Sequence, residues 1–135
     1  MTVAVRYFSR TGNTKKLAEC VAAQAGVTAE TVDVALSEKV DVLFLGSAVY
    51  AAGVDPAVKD FISANKDKIG AIVNISTAAL LPSTYKQVKK FAESQGVQVC
   101  EKEFHCRGAF AAMHKGRPNA EDLENAKSFV KSILA

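Results

Sequence analysis

Val3-Ala4-Val5-Arg6-Tyr7-Phe8 runs directly into Ser9-Arg10-Thr11-Gly12-Asn13-Thr14, and then into Leu17, Ala18, Val21, Ala22 and Ala25 at helical spacing. A short apolar run, a polar turn holding one glycine, and an amphipathic helix make a strand-turn-helix unit. The same alternation recurs along the rest of the chain. Further apolar runs stand at Thr31–Val34, Val42–Ala48, Ala71–Ile75 and Val97–Phe104. Helical faces follow at Val58, Phe61 and Ile62, at Tyr85, Val88, Phe91 and Ala92, and from Leu123 to Leu134. Asp55-Pro56, Pro82-Ser83 and Asn119 ahead of Glu121-Asp122 mark helix starts, while Gly26 and Gly96 mark stops. Ala35–Lys39 leaves room only for a turn or a very short helix. Five strands joined by helical crossovers predict a three-layer, doubly wound α/β fold with a parallel sheet covered on both faces. Thr31–Val34, interrupted by Asp33, suits an edge.

The length of 135 residues predicts one domain spanning 1–135, and 49% hydrophobic with 23% charged residues supplies a core. The longest uncharged run, Ile69 to Tyr85, is broken by Asn74, Ser76, Thr77, Pro82 and Ser83 and does not read as a membrane span. The amino terminus has no basic region ahead of an apolar one, so no signal peptide and a cytoplasmic protein are expected. Cys20, Cys100 and Cys106 form no Cys-x-x-Cys pair, which argues against a disulfide framework or a zinc site. They read as packing residues, although His105 and Arg107 flank Cys106. A net charge of +3 with 7% aromatics leans toward acidic partners and falls short of a nucleic-acid binder.

In an open parallel sheet, ligands sit beyond the carboxyl ends of the strands, where strand order reverses. The loop Ser9–Thr14 gathers hydroxyls, an amide and a glycine at a helix mouth, where backbone N–H groups and the helix dipole favour an anion. It reads as a phosphate cradle. The Gly-x-x-x-x-Gly-Lys loop and the Gly-x-Gly-x-x-Gly turn are both absent, and no cysteine stands here for a phosphatase. Gly46-Ser47-Ala48-Val49-Tyr50-Ala51-Ala52-Gly53-Val54 offers small residues around one aromatic, against which a flat heterocycle can lie. Ser76-Thr77-Ala78-Ala79-Leu80-Leu81 is read as a third loop with hydroxyls and small apolar residues. Thr77 is equally compatible with a hydroxyl that caps its own turn. Phosphate at one end and a flat ring at the other describe a mononucleotide-like ligand.

At these residues the sequence resembles the flavodoxin family. Ser9-Arg10-Thr11-Gly12-Asn13-Thr14 matches that family's Ser/Thr-x-Thr-Gly-Asn-Thr phosphate loop, and Gly46–Tyr50 its aromatic flavin loop. The tail, Phe104–Phe110 followed by Lys115-Gly116-Arg117-Pro118-Asn119, is similar to compact, short-chain flavodoxin-like proteins. The resemblance implies strand order 2-1-3-4-5 with FMN at the switch point. It also implies that Ser9, Thr11, Asn13 and Thr14, with the amides around Gly12, bind the FMN phosphate, and that Arg10 points to solvent or to the outer face of the phosphate. Tyr50 would stack on the ring, with Ala48, Val49, Ala51 and Gly53 along its edge. Thr77, Ala78 and Ala79 would line its pyrimidine side or the ribityl chain.

The resemblance implies an electron carrier that works between a reductase and an acceptor, both redox proteins, with no catalytic residue of its own. It would be a monomer or weak homodimer, without nucleic acid or membrane. An FMN-dependent NAD(P)H or quinone oxidoreductase is the alternative, and a flavin-free interaction domain is a third reading. Two departures matter. The chain is not acidic, which implies a higher reduction potential and a different partner. The glycine that the family commonly places beside the aromatic is replaced by Ala51-Ala52, which leaves Gly53 as the candidate pivot.

Overall fold

Alternating apolar residues build the sheet. In the computed structural model, which describes residues 1–50, 53–78, 83–109 and 114–135 (the backbone alone at 49 and 50), β1 is Val3–Tyr7. The other central strands are β3 (Val40–Tyr50) and β5 (Ile69–Ala78). β2 (Ala29–Thr31), β6 (Gln98–Val99) and β7 (Phe104–Arg107) lie toward the edges. All of these pair in parallel in the order β2-β1-β3-β5-β6, with β7 also on β5. This is the expected 2-1-3-4-5 order once β6 and β7 are counted as one interrupted edge. The order reverses between β1 and β3.

Each face of the sheet buries one pair of helices. α1 (Asn13–Ala25) and α4 (Ala120–Leu134) cover Val5, Tyr7, Phe44, Val73 and Ile75. α2 (Pro56–Asn65) and α3 (Tyr85–Ser94) cover Leu43, Leu45 and Ile72. Neighbouring strand residues point to opposite faces, so Phe44 and Leu45 belong to different cores. Asp55 and Asn119 cap as anticipated, whereas α3 (expected to start at Pro82-Ser83) takes Thr84 as its N-cap, and Pro82 lies outside the described residues. Asp55 accepts from Ala57 N at 2.9 Å with Pro56 in the first turn, and Asn119 forms a reciprocal capping box with Asp122.

Four other boundaries differ from the sequence expectation. β2 lies at 29–31, not 31–34, because Arg6 draws the chain off the sheet, donating to Val34 O (2.9 Å) and Ala35 O (3.4 Å). Val32, just past β2, is buried, with its N–H donating to Tyr7 O at 3.0 Å. The run 97–104 splits in two at the charged Glu101-Lys102-Glu103. β3 and β5 extend further than expected, so Ser76, Thr77 and Ala78 are strand residues and not a loop. Finally, a two-residue β4 (Gly53–Val54) folds back antiparallel on the end of β3.

Candidate functional site

The site grows out of the carboxyl end of β1. Phe8 N donates to Gly46 O at 3.0 Å, which carries the strand ladder one residue past β1. The next residues turn sharply: Ser9 Oγ accepts from Gly12 N at 3.0 Å. Gly12 has φ 91° and ψ −5° at the N-cap of α1. A side chain in that left-handed conformation costs about 1 kcal/mol. A Cβ there would meet nothing within 4 Å, so the glycine is required by its backbone and leaves open space.

A glycine N-cap brings no capping side chain. Lys16 N is the first amide to reach a helical acceptor, Gly12 O at 3.0 Å. The N–H groups of Asn13, Thr14 and Lys15 therefore have no partner among the described residues, and they sit at the positive end of the helix dipole. Ser9 keeps a hydroxyl hydrogen to donate, Thr11 is exposed, and Lys15 is exposed one residue beyond. The chemistry of this donor set suits a phosphate dianion, which can take several N–H and O–H bonds at once.

The other two polar residues of the loop turn inward. Thr14 is 1% exposed, and its Oγ1 lies 2.9 Å from Thr77 Oγ1 on β5. Asn13 Nδ2 donates to Ala109 O at 2.7 Å, tying the loop to the segment after β7. Arg10 is exposed, as expected, and reaches Asp55 Oδ2 at 2.8 Å. The Ala57 N–H and the Arg10 guanidinium together hold the Asp55 carboxyl below the usual range.

Among the residues assigned to the ring, Ala48, Thr77 and Ala78 are buried at the ends of β3 and β5. Thr77 faces α1, consistent with its bond to Thr14. Gly53 has φ 108°, the left-handed backbone a pivot needs, and a Cβ there would strike Gln87 Oε1 at 2.8 Å. That same oxygen accepts from Val54 N at 2.9 Å. Ala51 and Ala79, and the side chains of Val49 and Tyr50, lie outside the described residues, as does Phe110.

Several positioning residues escaped the sequence reading: Gln87, Gly108, and the Asn74, Thr84 and Glu103 that join Ser47, Ser76 and Ser83 in a polar group beneath α3. Asn74 and Ser76 at i and i+2 within an apolar strand were the available signal. Cys106 is buried and its thiol is pushed up to about 12 by desolvation, so the flanking His105 and Arg107 do not activate it. No cluster of metal-ligating side chains occurs among the described residues. No helix among them is long and apolar enough to cross a membrane.

A doubly wound parallel sheet, with a glycine-capped, hydroxyl-bearing loop beside the point of strand reversal, defines a three-layer α/β domain. The chain belongs to the flavodoxin family: the family model described as "Flavodoxin domain" matches residues 4–113. An uncharacterised protein of Methanocaldococcus jannaschii is 26% identical, with 90% of each chain covered. Among solved structures, a flavodoxin from the domain Archaea superposes with a TM-score of 0.80 at 17% identity, over 98% of this chain and 96% of that one. A Fusobacterium nucleatum flavodoxin bound to flavin mononucleotide gives 0.69 at 11% identity, over 99% and 98%. At those identities the likeness is one of fold.

Proposed function

We propose that this protein binds one FMN noncovalently and carries electrons between two redox proteins in the cytoplasm as a single-domain carrier. The observation that carries the reading is the Ser9–Thr14 loop, with its unspent amides at Asn13, Thr14 and Lys15 around a positive-φ Gly12. Family membership supports a flavin as the ligand, and the match to an FMN-bound flavodoxin supports FMN in particular.

In this reading the phosphate takes the three amides with the hydroxyls of Ser9 and Thr11. Asn13 and Thr14 hold the loop in shape through Ala109 and Thr77. Tyr50 covers the ring, and Ala48, Val49, Ala51 and Gly53 lie along its edge, with Ala78 and Ala79 on the pyrimidine side. FMN, when bound, supplies the one- and two-electron chemistry. The chain contributes a preformed anion cradle and a ring site walled by small residues.

Titration of the apoprotein with FMN and with riboflavin tests this. Two or more charge-assisted hydrogen bonds at roughly 1.5–3 kcal/mol each should favour FMN by about a hundredfold or more. Equal affinity for the two would overturn the assigned loop. Steady-state assays with NADH, NADPH and a quinone then separate carrier from enzyme: a carrier shows negligible turnover with all three.

A further inference from the structure

The α3-facing side of the sheet is apolar at Leu43, Leu45 and Ile72, then turns polar toward the carboxyl end. Ser47, Ser76 and His105 stand side by side across β3, β5 and β7. Glu103 lies just before Phe104, the register partner of Ile75. Ser47, Asn74, Ser76 and Thr84 are all fully buried. Asn74 Oδ1 has no partner among the described residues. Such a buried polar island costs stability that leucine or valine would not, which calls for a purpose other than filling the core.

The hydrogen bonds give that purpose, because they converge on the start of α3. Thr84 Oγ1 accepts from Ser47 Oγ and from Asn74 Nδ2, each at 2.9 Å. Thr84 N donates to Ser76 Oγ at 3.3 Å, and Tyr85 N to Ser83 Oγ at 3.0 Å. Ser83 then donates to Glu103 Oε1, while Glu103 Oε2 lies 2.7 Å from His105 Nδ1. A carboxylate is acceptor-only, so His105 donates from Nδ1. Serine, carboxylate and histidine are the residue types of a nucleophilic triad, but here the serine bonds the carboxylate. With its hydroxyl bonded to the carboxylate and not to the imidazole, Ser83 serves as an anchor and not as the nucleophile of a triad.

We propose that Glu103 is a positioning residue for the ring side of the cofactor site. Its carboxylate latches Ser83, and with it the first turn of α3, while His105 braces the carboxylate from the solvent side. Ser83 and Ala78 bracket the connection that leaves β5, so the latch fixes where that connection re-enters the fold. Gln87, one turn further along α3, holds Val54 beside the aromatic segment, which links the same helix to the second ring-side segment. The inference rests on the FMN reading.

Glu103→Gln, checked against Ser83→Ala, tests it. Both variants should lower the affinity for FMN and for riboflavin about tenfold, leaving the FMN-to-riboflavin ratio unchanged. Without added flavin, the Thr84 and Tyr85 amides should exchange about tenfold faster in both variants. Nitrogen NMR should show His105 protonated on Nδ1 in the parent, the nitrogen that faces the carboxylate. Unchanged exchange with unchanged affinities, or a loss confined to FMN, would overturn the latch. If the parent protein binds neither flavin, the proposed function fails, and the exchange rates alone decide whether Glu103 holds α3.

Discussion

A Cβ at position 108 would stand 3.0 Å from Asn13 Nδ2, 3.1 Å from Thr77 Cβ and 3.3 Å from Asn13 Cβ. Gly108 is therefore where the segment after β7 comes close enough for Asn13 to bond Ala109 O, and a side chain there presses on that amide. Gly108→Ala should lower FMN affinity about tenfold, through loss of roughly one hydrogen bond to the loop, with the loss read by fluorescence titration. Thr14 and Thr77 form the other brace, and their buried hydroxyls depend on each other. Thr77→Val leaves the Thr14 hydroxyl without a partner and should cost about 1–3 kcal/mol in urea unfolding. Replacing both threonines by valine removes both polar groups and should recover much of that loss, giving a double-mutant cycle with a coupling of about 1 kcal/mol. Additive losses would mean that the two hydroxyls do not act as a pair.

At the level of elements, α4 begins on a charge device as well as a cap. Asn119 and Asp122 satisfy each other's backbone N–H, and Arg117 adds Nε and Nη2 bonds to the Asp122 carboxylate at 2.6 and 2.7 Å. The Arg117 guanidinium holds the Asp122 carboxyl below its usual range. An unfolded aspartate titrates near pH 4, at about 3.9. The stabilisation is therefore complete above about pH 4 and is lost as pH falls through the lower native value. Asp122→Asn should cost about 2 kcal/mol at pH 7, and the gap to the parent should close below about pH 4. A gap that stays constant with pH would remove the carboxylate charge from the explanation. Elements of this kind were legible because Asn119, Asp55-Pro56 and Gly26 carry their roles in their own backbone chemistry. What depended on partners distant in sequence was not. Arg6 ends β2 from a neighbouring strand, and Ser76 to Ala78 lengthen β5 because β3 and β7 pair with them. The Ser9–Thr14 turn was legible as a strand-to-helix unit, but the inward placement of Asn13 and Thr14 needed Ala109 and Thr77 in place.

For the whole molecule, binding and folding share one equilibrium. The cradle joins residues from both ends of the chain: Asn13 meets Ala109, Thr14 meets Thr77, and Lys16 Nζ donates to Pro118 O at 2.8 Å. An unfolded chain cannot present these groups together, so under the proposed function FMN would bind the native state alone and stabilise it by RT ln(1 + [L]/Kd). At a hundredfold excess over Kd this amounts to about 2.7 kcal/mol. For a domain of this size, each kcal/mol raises Tm by roughly 3–5 °C, so saturating FMN should raise it by about 10 °C. Riboflavin lacks the phosphate assigned to the loop, and at the same concentration it should raise Tm by only a few degrees. Gly108→Ala should shrink the FMN shift while leaving the riboflavin shift nearly intact, because only the phosphate end is disturbed. Glu103→Gln should shrink both. Differential scanning fluorimetry of three proteins against two flavins thus reads the two halves of the site separately. Equal Tm shifts for FMN and riboflavin in the parent would show that the Ser9–Thr14 loop contributes nothing to binding.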